Sequence, residues 1–393
     1  MLEQVISNKA GWTRVAFGDV VRLSKLRAKD PEAEGYERVV GLEHIEPGDL
    51  RIRRWADIAD GTTFTSVFKP GQVLFGKRRA YQRKVAVADF TGVCSGDIYV
   101  LEPSSDALMP ELLPFICQTD AFFDHAVGTS AGSLSPRTNW KSLADFEFLL
   151  PPIQEQARLV EVCLSLEDSL NSLYAASAAA QEVLRAILFK EIPLAAKGDL
   201  GEKEARRFGD YVEIIDPNPS HRYPEYCEDG YPLVATQDFD GPDGFDYSEA
   251  KRVPEKTFLE QKRRCRFEPK DVVFARKGIL GLSRFYGEDD KAFSHTIVMM
   301  KPKNEGISSD FLLWVTRSDS FMAEISRGMN ANSGVPTLGV ESLANALVAL
   351  PPREQQDNLV DQFNGLNAAI KNIETRREKI IDMKARIVAG IAN

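Results

Sequence analysis

A seven-residue run, Leu150-Pro151-Pro152-Ile153-Gln154-Glu155-Gln156, returns 200 residues later as Leu350-Pro351-Pro352-Arg353-Glu354-Gln355-Gln356. Solenoid repeats recur every 20–50 residues or so, and this period is far longer. The repeating object is therefore a whole domain with a helix attached, used twice. Leu-Pro-Pro is itself a strand-to-helix switch: a residue before proline is pushed to extended geometry, and proline is tolerated in a first helical turn.

The two halves align beyond this junction, in one order and at offsets of 191 to 200. Phe17-Gly18-Asp19-Val20 matches Phe208-Gly209-Asp210-Tyr211. Phe68-Lys69-Pro70-Gly71-Gln72-Val73-Leu74-Phe75 matches Phe267-Glu268-Pro269-Lys270-Asp271-Val272-Val273-Phe274, which reads as a turn followed by a short buried strand. Ile98-Tyr99-Val100-Leu101 and Ile297-Val298-Met299-Met300 read as a second strand. Helical stretches follow near 110–122 and 310–321, then the small-residue loops 128–136 and 328–336. Ser142-Leu143-Ala144 and Ser342-Leu343-Ala344 come next.

After each junction comes a heptad seam. Leu159, Cys163, Leu166, Leu170, Leu173, Ser177, Ala180, Leu184 and Ile187 alternate steps of four and three, as do Leu359, Phe363, Leu366, Ile370 and Ile373. The second seam meets Arg377 and continues through Ile380, Met383 and Ile387 with a slight phase shift. Each helix is expected to span roughly 38 residues, about 57 Å at 1.5 Å per residue. So long a helix with one narrow apolar stripe needs a partner, and the other copy is the nearest candidate. The expected fold is α+β: two similar α/β domains separated by two long helices forming an antiparallel coiled coil. The expected boundaries are 1–150 for the first domain, 151–190 for the first spacer helix, 191–207 for a linker, 208–350 for the second domain and 351–393 for the second spacer helix.

The net charge is −9. Residues 1–150 hold 18 basic and 20 acidic side chains, and residues 201–350 hold 20 and 25. A nucleic-acid surface would therefore be a local patch on an acidic body. The five cysteines lie far apart with no Cys-x-x-Cys pair, which disfavours zinc and disulfide frameworks. No apolar run approaches membrane-spanning length and no secretory signal is visible, so a cytoplasmic location and no membrane partner are expected.

The paired Leu-Pro-Pro junctions with Glu155-Gln156 and Gln355-Gln356, the two heptad helices and the Phe-x-Pro turn-strand of each domain resemble the specificity subunit of type I restriction-modification systems, over essentially the whole chain. The resemblance implies a DNA-binding phage-defence component without catalysis of its own. Two target-recognition domains would each read one half of a bipartite double-stranded DNA site, and the helices would set the spacer. It further implies two adenine methyltransferase subunits using S-adenosylmethionine and restriction subunits using ATP and Mg²⁺ as partners, with no cofactor in this chain. The second junction departs from the first, with Gln355 in place of Glu155.

DNA-contact candidates follow from residue chemistry. Lys77, Arg78, Arg79, Tyr81, Arg83 and Lys84 follow a strand directly, with no acid among them; arginine suits guanine, lysine suits phosphate. The counterpart stretch offers Arg276, Lys277, Ser283 and Arg284. Polar loops add Ser133, Arg137 and Asn139, and Asn330, Asn332 and Ser333. Lys262-Arg263-Arg264-Cys265-Arg266 is a candidate phosphate anchor, and Arg51, Arg53 and Arg54 alternate as an edge strand would. A solvated turn or face is the competing reading for each.

The histidines His44, His125, His221 and His295 have no metal spacing and read as structural. An adenine methyltransferase clamp and a P-loop are both absent: Asp216-Pro217-Asn218-Pro219 lacks the second consecutive proline and the aromatic, and Gly76-Lys77 is followed by Arg78. One nuclease-like pattern exists, Pro242-Asp243 with Glu249-Ala250-Lys251. A metal-dependent nuclease on duplicated domains and a protein-binding coiled-coil scaffold are therefore the alternative functions.

Overall fold

A computed structural model describes residues 9–194, 204–220, 224–327 and 336–392. Asn330, Asn332, Ser333, His221 and most of the expected linker lie outside the described residues. The chain forms two compact units, Met1–Tyr174 with Glu374–Asn393, and Ala175–Ile373. Each unit holds one globular domain, the start of one long helix and the end of the other.

The domains share a plan. In the first, an antiparallel sheet runs in the order Val21–Leu23, Ile98–Pro103, Val73–Gly76, Val85–Val87. In the second the order is Val212–Ile215, Ile297–Pro302, Val272–Ala275, Ser283–Phe285. Val73–Gly76 and Val272–Ala275 are apolar and buried throughout, as a strand covered on both faces requires. Alternate residues go to opposite sides, as a pleat requires. Val73, Phe75 and Leu101 face the helices, while Leu74, Ile98 and Val100 join Val40, Phe68 and Cys94 of a second sheet. The second domain splits the same way, Val272, Phe274 and Met300 against Val273, Ile297 and Met299. It also has features of its own: a helix at Glu255–Cys265 and a hairpin of Phe239–Asp240 with Gly244–Phe245.

Each aligned motif has a mechanical reason. Gly18 and Gly209 sit in short helices, Phe17–Val20 and Phe208–Tyr211, pressed against Ala144 and Ala344. A Cβ at either glycine would lie 2.7 Å or 3.0 Å from that alanine's Cβ. Phe17 meets Phe122 at 4.7 Å, and Phe208 meets Phe321 at 4.7 Å. Thr119 and Ser318 cap the helices that carry those partner rings, accepting from the amides of Phe122 and Phe321. The proline turns are also closed alike: Gln72 Oε1 accepts from Lys69 N at 2.8 Å, and Asp271 Oδ2 from Glu268 N at 2.7 Å. In the first turn Gly71 has φ +85°, the left-handed conformation open to glycine.

The strand ending on each Leu-Pro-Pro pairs with the strand that enters its domain. Thr13–Ala16 pairs with Glu147–Leu150, and Ala205–Arg207 with Leu347–Ala349. The long helices then run over Ile153–Glu191 and Arg353–Ala392. The last residue of each junction motif locks the joint from inside. Gln156, 1% exposed, accepts from Met109 N at 2.9 Å and donates to Ala107 O and Pro151 O, both at 2.8 Å. Gln356, 0% exposed, accepts from Ser308 N at 3.2 Å and donates to Gly306 O at 2.8 Å and Pro351 O at 3.2 Å. Glu155 accepts from Trp12 Nε1 at 2.5 Å, whereas Gln355 is exposed, so the carboxylate of the first junction serves its own domain.

The helices pair antiparallel within each unit. In the first, Glu167 meets Lys384 and Tyr174 meets Arg377, whose guanidinium lies 4.4 Å from the ring centre. In the second, Leu184, Ile187 and Leu188 share a core with Leu359, Val360 and Phe363. Leu159, Leu170, Phe363 and Ile370 are buried, and Leu166, Leu173, Leu184, Leu359, Leu366 and Ile373 are half-buried. The expected phase shift through Met383 is corrected. Met383 is 43% exposed and Lys384 is 6% exposed. The four-three alternation therefore runs unbroken through Arg377, Ile380, Lys384 and Ile387, two of its positions being held by cations. Lys384 is accommodated because Glu167 reaches it.

Among the described residues, no helix is long and apolar enough to cross a membrane. All five cysteines are free. Burial pushes the thiols of Cys94, Cys163 and Cys265 up to about 12, and that of Cys117 upward as well, so these are packing residues.

Candidate nucleic-acid interface

In the first domain the strand Val73–Gly76 delivers the chain into Lys77-Arg78-Arg79, and the loop 131–137 folds back beside it. Arg79 N donates to Pro136 O at 2.7 Å, and Thr138 N to Lys77 O at 3.0 Å, so the two segments are stitched by their backbones. Asp97 organises the side chains. Its carboxylate accepts from Arg137 at 2.7 Å and from Arg78 at 3.2 Å. Burial pulls the Asp97 pKa upward, but these two arginines outweigh it and hold it below the ordinary value. Ser135 Oγ accepts from Arg78 at 3.0 Å and from Arg79 at 3.4 Å. Lys77 Nζ lies 4.7 Å from the Tyr99 ring centre, and its pKa is lowered by burial, against the pull of Asp97.

Arg78 and Arg137 share the one carboxylate, and Lys77 and Arg79 lie alongside, which leaves a locally positive patch on an acidic domain. Arg79 and Arg83 adopt left-handed backbone, at φ 54° and 55°, around the turn Ala80–Gln82. The Nε atoms of Arg78 and Arg79 are buried without a hydrogen-bond partner. Tyr81 is 56% exposed and Leu134 is 89% exposed. Ser133 is exposed on the loop.

Other candidates in this domain have structural employment. Arg83 meets Asp120, and its guanidinium lies 4.6 Å from the Phe123 ring centre. Lys84 Nζ donates to Leu42 O at 2.6 Å. Asn139 caps the helix Trp140–Ala144, accepting from Ser142 N at 2.9 Å.

Among the described residues, the second domain does not reproduce the patch. Arg276 is 4% exposed and donates to Asp216 at 2.6 Å and to His295 O at 3.1 Å. Ser283 is 4% exposed and accepts from Thr316 Oγ1. Arg284 is 1% exposed, with its guanidinium 3.9 Å from the Phe239 ring centre, and it donates to the carbonyls of Asp240, Gly241 and Gly244. Burial, together with the nearby Arg317 cation, lowers its pKa to about 10 against the pull of Asp243 and Asp240. These three side chains are therefore corrected from surface contacts to interior fasteners, Arg284 holding the 239–245 hairpin. Lys277 remains half-buried at the rim, 3.5 Å from His295 Nε2, and Ile279 is 63% exposed at the adjoining turn.

The secondary basic runs also serve the fold. Lys262, Arg263 and Arg264 occupy the last turn of the helix Glu255–Cys265, where cations offset its dipole. Arg264 donates to Pro217 O and Arg266 to Glu213. Arg54 donates to Glu43 O and Glu46, and Arg53 to Asp49 and Asn171. His44 Nδ1 accepts from Gly41 N at 2.9 Å, and His125 Nε2 lies 2.7 Å from Ser142 O. Asp243, from the nuclease-like pattern, meets Arg317 and Lys371. Among the described residues, no three His, Cys, Asp or Glu side chains are grouped to hold a metal ion.

Sequence reasoning missed Asp97, Tyr99 and Ser135, which shape the first patch. An acid in a basic neighbourhood carries no local signal, since Asp97 is separated from Arg78 and Arg137 by 19 and 40 residues.

No family model matches the chain. A stretch of 153 residues is 29% identical to the type I restriction enzyme EcoDI specificity subunit of Escherichia coli, covering 38% of this chain and 33% of that protein's length. The match thus spans about a third of the curated relative. Two solved structures share the fold over nearly the whole length. The type I restriction-modification S subunit from M. genitalium aligns with TM-score 0.60 at 13% identity, over 98% of this chain and 97% of that one. A chain from a structure addressing complex assembly and conformational transition of the type I restriction-modification system aligns with TM-score 0.56 at 17% identity, over 96% and 97%. The expected architecture, two similar α/β domains and two long antiparallel helices, is the one found, and its fold is shared with these two chains.

Proposed function

We propose that this chain is the DNA sequence-recognition subunit of a type I restriction-modification complex. Each domain reads one half of a bipartite double-stranded site, and the paired helices set the spacer between the halves. The observation that carries this reading is the duplication itself, a domain, an internally locked Leu-Pro-Pro joint and a long helix built twice. Its support is the fold shared with S subunits over 98% of the chain.

Methyl transfer belongs to partner subunits in this proposal, because reaching the target atom requires a base flipped out of the duplex into a dedicated pocket. Two methyltransferase subunits would bring S-adenosylmethionine, and restriction subunits ATP and Mg²⁺. The chain supplies the address. In the first domain, Arg78, Arg79 and Arg137 are presented on a fixed loop pair where Arg–guanine and Arg–phosphate contacts are feasible. In the second, Lys277 and the turn at Gly278–Gly281 occupy the matching strand exit.

Because the body is acidic, the chain alone should bind DNA weakly at physiological salt. Single-molecule sequencing of host DNA with and without the chain tests the proposal. A modified bipartite motif that vanishes with the chain is expected; an unchanged methylation pattern refutes it.

A further inference from the structure

We infer that each domain is braced against its own long helix at a second point, and that these two struts, Arg53 on Asn171 and Asp243 on Lys371, hold the domain's pitch and so confine the site to one spacer length. This inference rests on the recognition reading above and names the residues that would enforce its spacing.

The first attachment of each domain is the glutamine lock at the junction. Apolar packing extends that grip over the next two turns, to Leu159 and Cys163 in one unit and to Val360 and Phe363 in the other; a second attachment further along the helix gives the longer lever against tilting. The second lies on the same helix in both units, 15 residues beyond the lock, at Asn171 after Gln156 and at Lys371 after Gln356. At 1.5 Å per residue the lever is about 22 Å long. Asn171 and Lys371 stand at the repeat's own offset of 200.

The chemistry at the two struts differs while the position coincides. In the first, Arg53 Nη2 donates to Asn171 Oδ1 at 2.8 Å, and its guanidinium lies 4.9 Å from the Tyr174 ring centre. Asp49, 2.5 Å from Arg53 Nε, aims the guanidinium. In the second the polarity is reversed: the helix supplies the cation, Lys371, and the domain supplies Asp243. Arg317 backs Asp243 at 2.7 Å and also donates to Pro242 O and Ser283 O, which ties the hairpin to the sheet. Two unrelated contacts at one geometric position indicate that the position is what the architecture requires.

A spacer changed by one base pair displaces the half-sites by about 3.4 Å and rotates them by about 34°, since a B-DNA turn holds roughly 10.5 base pairs. Binding such a site requires a domain to tilt, and tilting breaks its strut. Both contacts are partly exposed, so each should alter spacer discrimination by only about two- to fivefold, the range of an exposed pair.

The test is Lys371→Ala in the full chain, expressed with its methyltransferase partners, with single-molecule sequencing of genomic DNA. Alanine keeps the helix, and Lys371 is 45% exposed, so folding should survive. The expected result is that both half-site sequences persist while modification at spacers one base pair longer or shorter rises two- to fivefold. Lys371→Arg should restore the wild-type spacer. Arg53→Ala should relax the same spacing through the other domain. An unchanged spacer in both alanine variants, a change in the bases of either half-site, or loss of all modification would overturn the strut. If the wild-type chain imposes no bipartite motif, the recognition reading falls, and the strut's role with it.

Discussion

Glu167 and Lys384 form an ion pair inside the helix seam, their side chains 11% and 8% exposed. Lys384 Nζ also lies 5.7 Å from the Phe115 ring centre, so the domain core closes over it. Desolvating two charges offsets much of their attraction, while removing one leaves the other stranded. Lys384→Leu should therefore destabilise the first unit by about 3 kcal/mol, and Glu167→Leu by a similar amount. The double variant Glu167→Leu with Lys384→Leu should be neutral or more stable by about 1–3 kcal/mol, because it turns the position into an ordinary heptad contact. Urea unfolding followed by circular dichroism, arranged as a double-mutant cycle, measures this. With a urea slope of about 1–3 kcal/mol/M, each single variant should lower the midpoint by roughly 1–3 M. If the double variant is as unstable as the singles, or either single costs under about 1 kcal/mol, the reading of a costly buried pair is wrong.

Gln156→Ala and Gln356→Ala should each cost about 2–4 kcal/mol in the same assay, since each strands one amide and two carbonyls inside a junction. Gly18→Ala should destabilise by about 1–3 kcal/mol through the contact with Ala144, with Gly209→Ala milder because its clash is looser. The Asp97 strap has a pH signature. With a folded pKa below the ordinary value of about 3.9, its stabilisation is present above that pH and is lost as pH falls through the depressed value, so Asp97→Asn should flatten the acid limb of the stability curve below about pH 4. Arg79→Ala should change the methylated sequence at one half-site only; equal loss at both halves would make the patch a general backbone anchor.

The duplication was legible because it is covariant in position. Phe17 and Phe208, Gly18 and Gly209, and Gln156 and Gln356 each do one job twice, and identical jobs leave identical residues in one order, at offsets between 191 and 200. The helices were legible through their period, apart from Lys384, where a cation at a seam position looks like an irregular register until Glu167 is seen opposite it. The interface was less legible. A run of basic residues reports charge and not what covers it. Arg284 is enclosed by a hairpin whose Phe239 and Phe245 lie some forty residues upstream, and Arg276 is drawn inward by Asp216. Arg78 and Arg137 become one site through Asp97, and nothing in their own neighbourhoods announces that.

The division into units bears on the order in which the molecule is completed during synthesis. The second unit, Ala175–Ile373, is one unbroken stretch of chain, whereas the first needs Glu374–Asn393 to close over Leu159 and Cys163. A ribosome makes the first domain earliest, yet every residue of the second unit is available before the first unit has its last turns of helix. The nascent first domain therefore carries an uncovered apolar stripe throughout the synthesis of the second, and it is the stage of biogenesis at which a chaperone would find the most to hold.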